Sequence, residues 1–183
     1  MKENAMPESL ESSLILKHFL PYRLVNLAQN VSEKFAEVYQ DKFNLTVPEW
    51  RILVHLFEQA SVVEQVKEAE QSNATNKEGK DNVEGKAGGI SAKDLTVLAS
   101  MDKSTVSRAV KIMLDKGYLV KHTNENDKRA SLLKLTQEGK KLYLAIAPEA
   151  LKWEASLLDV LSASEYRDLM RIIDKLDNRL AGV

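Results

Sequence analysis

Through much of this chain apolar residues recur at helical spacing. Leu20, Leu24, Leu27, Val31, Phe35 and Val38 stand 4, 3, 4, 4 and 3 residues apart, which predicts one long amphipathic helix. Pro21 is placed either to begin that helix or to kink it, and a short turn around Leu10 to His18 precedes it. Thr46 and Glu49 have capping-box spacing for a second helix, whose first turn tolerates Pro48. Trp50, Leu53, Val54 and Phe57 make its inner side. A third helical pattern runs from Leu142 to Leu161, interrupted or restarted at Pro148. Ser162 and Glu165 then form another capping box, and Leu169, Ile172, Ile173, Leu176 and Leu180 continue the last helix.

Between these helical ends the period changes twice within residues 90–139. Ser91 with Asp94 three residues on starts a short helix, whose apolar side is Leu95, Leu98 and Ala99. Ser100-Met101-Asp102 turns the chain, and Asp102 is a good N-cap for a helix from Lys103. At about 100° per residue Val106, Ala109, Val110 and Met113 fall on one side of that helix. Ser104, Ser107, Arg108, Lys111 and Asp115 fall on the other. Gly117 ends the helix where a left-handed residue is wanted. Tyr118 to Thr123 and Ala130 to Leu135 read as two strands joined by the turn-rich Asn124 to Arg129, and Thr136 is placed to cap the next helix. Helix, turn, helix and a two-stranded hairpin with a basic tip is the order of a winged helix-turn-helix, a mainly α fold with a small β-wing.

Residues 61–89 break the pattern. A helix-like piece with Val62, Val63, Val66 and Ala69 gives way to Asn, Gly, Lys and Glu from Ser72 to Gly89, the composition of a flexible linker. The segment reads as an exposed insertion without a site, or as an element that touches DNA or a partner.

Charge changes the picture only when read locally. The whole chain carries −1, which argues weakly against nucleic acid. Yet residues 91–141 hold eleven basic and six acidic side chains, a net +5, leaving −6 on the remainder. Phosphate contact needs a basic face rather than a basic protein. The absence of cysteine removes disulfides, thiol redox chemistry and thiolate metal sites. His18, His55 and His122 lie on different elements without metal-ligand spacing, so no metal is expected. No phosphate-binding glycine loop, nucleophile elbow or catalytic constellation is present, and the reading is not an enzyme. With no basic-then-apolar leader and no run of about 18 apolar residues, a cytoplasmic protein without membrane contact is expected. Its 183 residues suit one domain.

Leu119-Val120, Asp127-x-Arg129 and Leu135-Thr136-x-x-Gly139 resemble the wing of MarR-type transcriptional regulators. Asp102 to Arg108 resembles their turn and recognition helix, and Leu45 to Leu53 the start of their second helix. The resemblance covers most of the chain outside residues 61–89 and the extreme N-terminus. It implies dimerisation helices at 9–45 and 140–183, and a winged helix-turn-helix from 46–60 and 90–139. The resembled family interlocks its terminal helices into a homodimer, which also supplies two recognition helices for a palindromic site in double-stranded DNA. It implies a sequence-specific regulator, more often a repressor, released by a small-molecule effector and needing no cofactor. A winged-helix adaptor that has lost DNA binding is the alternative.

On that reading Ser104, Ser107, Arg108 and Lys111 face the major groove. Lys103 and Thr105 lie where helix N-terminal amides favour a phosphate, with Lys128, Lys93 and Lys134 as weaker contacts. Arg129 enters the minor groove and Asp127 orients it by a charge-assisted hydrogen bond; otherwise the pair belongs to a solvated turn. Tyr22, Arg23, Trp50, Arg51, His55 and Trp153 either line an effector cleft or serve as core and structural bridges. Aromatic walls with an arginine suit an aromatic acid or its coenzyme A thioester. Leu20 to Leu24 and Pro48 to Arg51 resemble a subgroup responding to hydroxycinnamate-type compounds.

Overall fold

A computed structural model describes residues 14–73, 89–123 and 131–182. A 3-10 turn at Leu16–His18 leads into α1 (Leu20–Phe43) and α2 (Val47–Asn73). After β1 (Ile90–Ser91) come α3 (Ala92–Leu98), α4 (Lys103–Asp115), β2 (Leu119–Thr123), β3 (Ser131–Leu135), α5 (Gln137–Leu158) and α6 (Ala163–Ala181). The mainly helical fold with a small antiparallel sheet is the expected winged helix-turn-helix.

Local chemistry accounts for the boundaries. Pro21 sits in the first turn of α1 and begins it without a kink, because its missing N–H falls among the donors that have no helical acceptor. Asn44 takes a left-handed conformation at φ 51° and closes α1. The Ser91 hydroxyl accepts the Asp94 N–H, Thr136 accepts that of Gly139, and Ser162 with Glu165 completes a full capping box. Gly117 adopts φ 74°, and the Tyr118 N–H returns to the Met113 carbonyl at 2.9 Å, so the last carbonyls of α4 are satisfied.

Helix α2 runs on to Asn73, so the helix-like piece read at the start of the 61–89 segment continues α2; 74–88 lie outside the described residues. Three details differ from the sequence expectation. Pro148 lies inside α5 without interrupting or restarting it. The wing has a third strand: Ile90 pairs with Leu133 and Ser91 with Leu132, giving the order β1-β3-β2. Two residues are too short a run to announce a strand by alternation. Finally, Leu98 is half in water while Leu95 and Ala99 are buried, because at about 100° per residue Leu98 lies at the edge of the face that Leu95 and Ala99 turn inward.

The core lies where α2, α4 and the sheet meet. Ile52, Leu53 and Leu56 of α2 pack with Leu95, Val106, Ala109, Val110, Met113, Leu119 and Leu133. All four apolar positions read on α4 are buried. The ends of the chain behave differently. Leu20, Leu24 and Leu27 of α1 are exposed, and no α6 residue is buried although Leu169, Ile172, Ile173, Leu176 and Leu180 line its apolar side.

Candidate nucleic-acid interface

Helix α4 is held at its start by an unusually committed cap. Asp102 accepts N–H bonds from Ser104 at 2.9 Å and Thr105 at 3.0 Å, and hydroxyl bonds from the same residues at 2.6 Å each. The Ser104 and Thr105 hydroxyls, then the Thr105 amide, hold the Asp102 carboxyl well below the usual carboxylate range. Those two hydroxyl protons are therefore spent on the cap, and only oxygen lone pairs remain to meet a ligand. Arg108 is exposed, with its Nε 3.3 Å from the Ser104 carbonyl.

A groove of 910 Å³ runs between α4 and the wing. From the helix it is lined by Lys103, Ser107 and Lys111, from the edge of α3 by Lys93 and Thr96, and from the sheet by Lys121, Ser131 and Leu133. Four lysines thus line one concave surface, and among the described residues Asp115 is its only acidic lining residue. Of the residues proposed from sequence, Lys93, Lys103, Ser107 and Lys111 come together here, while Ser104, Thr105, Arg108 and Lys134 do not line it. Lys121 was not among the candidates, because a strand lysine carries no signal until the sheet places it opposite a helix. Asp127, Lys128 and Arg129 lie outside the described residues.

Two neighbouring residues of α2 grip the ends of the helix-turn-helix. Arg51 Nη1 donates to the Ala99 carbonyl at the end of α3, 3.2 Å away. Glu49, only 1% exposed, takes the Lys116 ammonium on Oε1 at 2.7 Å and the Thr46 amide and hydroxyl on Oε2 at 2.7 Å each. Burial pushes the Glu49 carboxyl up, but the Lys116 and Thr46 hydrogen bonds outweigh it and leave it below the ordinary range. Sequence reasoning found the Thr46–Glu49 half of this arrangement and missed Lys116, which is 67 residues away.

The proposed effector residues divide. Trp50 stacks on Tyr39 at 5.3 Å and on Tyr143 at 6.2 Å, and Phe35 bridges Trp50 at 5.7 Å and Trp153 at 5.1 Å. Trp50 and Trp153 therefore join one aromatic cluster between α1, α2 and α5. His55 is half-buried on α2, whereas Tyr22 and Arg23 are exposed on the first turns of α1.

Comparison with known proteins agrees with this geometry. The sequence profile of the MarR family matches residues 82–130. The HTH-type transcriptional regulator BilQ of Clostridium symbiosum is 28% identical over 92 residues, 50% of this chain and 64% of that protein. BilQ of Clostridioides difficile is 28% identical over 81 residues, 44% and 55% of the two chains. The matched stretch thus spans less than two thirds of either relative. Among solved structures, a MarR/EmrR family transcriptional regulator from Acinetobacter sp. ADP1 superposes with a TM-score of 0.67 at 24% identity, covering 93% of this chain and all of the other. MepR of S. aureus, in a DNA complex, gives 0.63 at 17% identity over 90% and 98% of the chains. Streptomyces coelicolor PcaV, bound to its natural ligand, gives 0.61 at 17% over 91% and 97%. Residues 82–130 carry the MarR-family sequence pattern, on a chain whose fold is that of MarR-family winged helix-turn-helix regulators.

Proposed function

We propose that this chain is a sequence-specific DNA-binding transcriptional regulator, not an enzyme, acting as a homodimeric repressor that a small aromatic acid or its coenzyme A thioester releases. The groove between α4 and the wing carries the reading. A helix with a buried apolar back presents Ser107, Arg108 and Lys111 outward, dimensions and chemistry that suit a major groove. Lys93 and Lys121 stand on the far walls of the groove, where the phosphates flanking the major groove pass. Arg129, with Asp127 orienting it and Lys128 beside it, extends the contact into the minor groove.

Dimerisation is supported by the uncovered apolar stripes of α1 and α6. Each leucine, isoleucine or methionine fully covered there contributes about 1.5–3 kcal/mol, and a two-fold pairing brings two copies of α4 to a palindromic site. For the effector, the Trp50 and Trp153 cluster offers an apolar wall. Arg23 is the freer guanidinium for a carboxylate, since Arg51 already donates to Ala99. An effector acts only through unequal affinity for the two arrangements of the dimer.

Selection from a random duplex pool tests the reading. A two-fold-symmetric sequence is expected, released by hydroxycinnamates, hydroxybenzoates or their thioesters. Enrichment of no sequence by a dimeric protein would leave the adaptor reading. Release by a cationic or aliphatic compound alone would overturn the pocket chemistry only.

A further inference from the structure

Three consecutive residues of the first turn of α2 face three different parts of the molecule. Glu49 meets Lys116 at the end of α4 at 2.7 Å. Trp50 enters the aromatic cluster with α1 and α5. Arg51 meets the Ala99 carbonyl at the end of α3. At about 100° per residue, this turn is where the long helices meet both helices of the reading head. Lys116 also donates to the Asn44 carbonyl at 2.7 Å, so one ammonium ties the end of α1, the start of α2 and the end of α4.

Glu49 is the one fully buried charged side chain among the described residues. A buried ion pair is a poor source of stability, because a well-packed apolar pair of similar volume is often equally stable or more so. What the pair has and an apolar contact lacks is direction. Both Glu49 oxygens are used, one by Lys116 and one by Thr46, so the carboxylate cannot turn without breaking bonds. We propose that Glu49 and Lys116 are a positioning pair that fixes the angle at which α4 leaves the long helices, and thereby the separation of the two recognition helices in the dimer. The pair touches no DNA. This inference rests on the dimeric DNA-binding reading above.

The chain contains no cysteine, so one introduced thiol reports the separation directly. In the full-length protein Ile112→Cys, at an exposed position of α4 that does not line the groove, carries a nitroxide for pulsed EPR. Lys116→Arg is expected to keep the single narrow distance between subunits. The paired variant Glu49→Leu with Lys116→Met, still folded by circular dichroism, is expected to shift or broaden it. On duplexes selected by the wild type, that variant should lose roughly tenfold of its preference for the native half-site spacing over spacers one base pair longer or shorter, a usual size for coupling through a junction. A structural role alone would weaken all spacings equally. Should the paired variant fail to fold, Glu49→Gln must move the distance in its place. A folded variant with the wild-type distance and spacing profile overturns the proposal. A wild type showing no distance between subunits, or selecting no duplex, means instead that the dimeric reading itself has failed.

Discussion

Gly139→Ala sets two effects of opposite sign against each other. Gly139 is buried in the first turn of α5, and a Cβ there would lie 2.4 Å from the Tyr118 carbonyl oxygen and 3.2 Å from Leu135 Cδ2. Ordinary carbon-to-oxygen approaches are about 3.3 Å, so α5 and the chain before β2 would have to part by about 1 Å. That oxygen is not free to move, because it accepts the Thr136 N–H at 3.0 Å, and the Thr136 hydroxyl is bonded to the Gly117 carbonyl at 2.7 Å. Overpacking costs about 1–3 kcal/mol, and a fixed backbone oxygen places this case near the upper end. Alanine recovers about 1 kcal/mol of helix propensity. A net loss of about 2 kcal/mol is expected, a fall of about 4–8 °C in Tm for a domain of this size. Urea unfolding followed by far-UV circular dichroism and by the fluorescence of Trp50 and Trp153 should show a lower midpoint with an unchanged slope. An unchanged or raised midpoint would mean that propensity wins and that the Tyr118 contact yields.

The other expectations follow from the same contacts. Lys116→Met leaves Glu49 buried without its counter-ion; Lys116 keeps some water contact, so a loss of about 3 kcal/mol, the low end for a broken buried pair, is expected by urea titration. Because Glu49 titrates below its ordinary value of 4.5, its pairing stabilises the fold fully above that pH and ceases to do so as pH falls through the folded-state value. The stability gap between wild type and Glu49→Gln should therefore narrow in acid, and a gap independent of pH would contradict the assignment. Arg108→Ala should relax base preference at one position at a cost of about 1–3 kcal/mol, whereas Arg129→Ala should weaken all duplexes and lower the salt slope. The full chain is expected to sediment as a dimer at micromolar concentration, and removal of everything after Ser162 should abolish that dimer. A full chain that sediments only as monomer would remove the dimer.

The winged core was legible because each of its boundaries has a local cause. Asp102 and its hydroxyl neighbours, Gly117 with its positive φ, and the apolar set Val106, Ala109, Val110 and Met113 all act within one or two helical turns. What sequence could not show is action at a distance. Lys116 finds Glu49 across 67 residues, Lys121 becomes a groove wall only once β2 pairs with β3, and Ile90 becomes a strand residue only because Leu133 is opposite it. Gly139 lies between these cases. The Leu135-Thr136-x-x-Gly139 pattern was recognisable, but the reason for its glycine is the Tyr118 carbonyl.

The central claim, that the lysine-lined groove beside α4 receives the phosphates of DNA, is tested most directly by the salt dependence of binding. On the duplex selected by the wild type, the logarithm of the affinity is measured against the logarithm of salt concentration for wild type, Lys93→Ala and Lys121→Ala. Each lost phosphate contact lowers the slope by about 0.9, and each lysine occurs twice in a dimer, so a fall of about 1.8 is predicted for either variant. Slopes equal to that of the wild type in both would contradict the account.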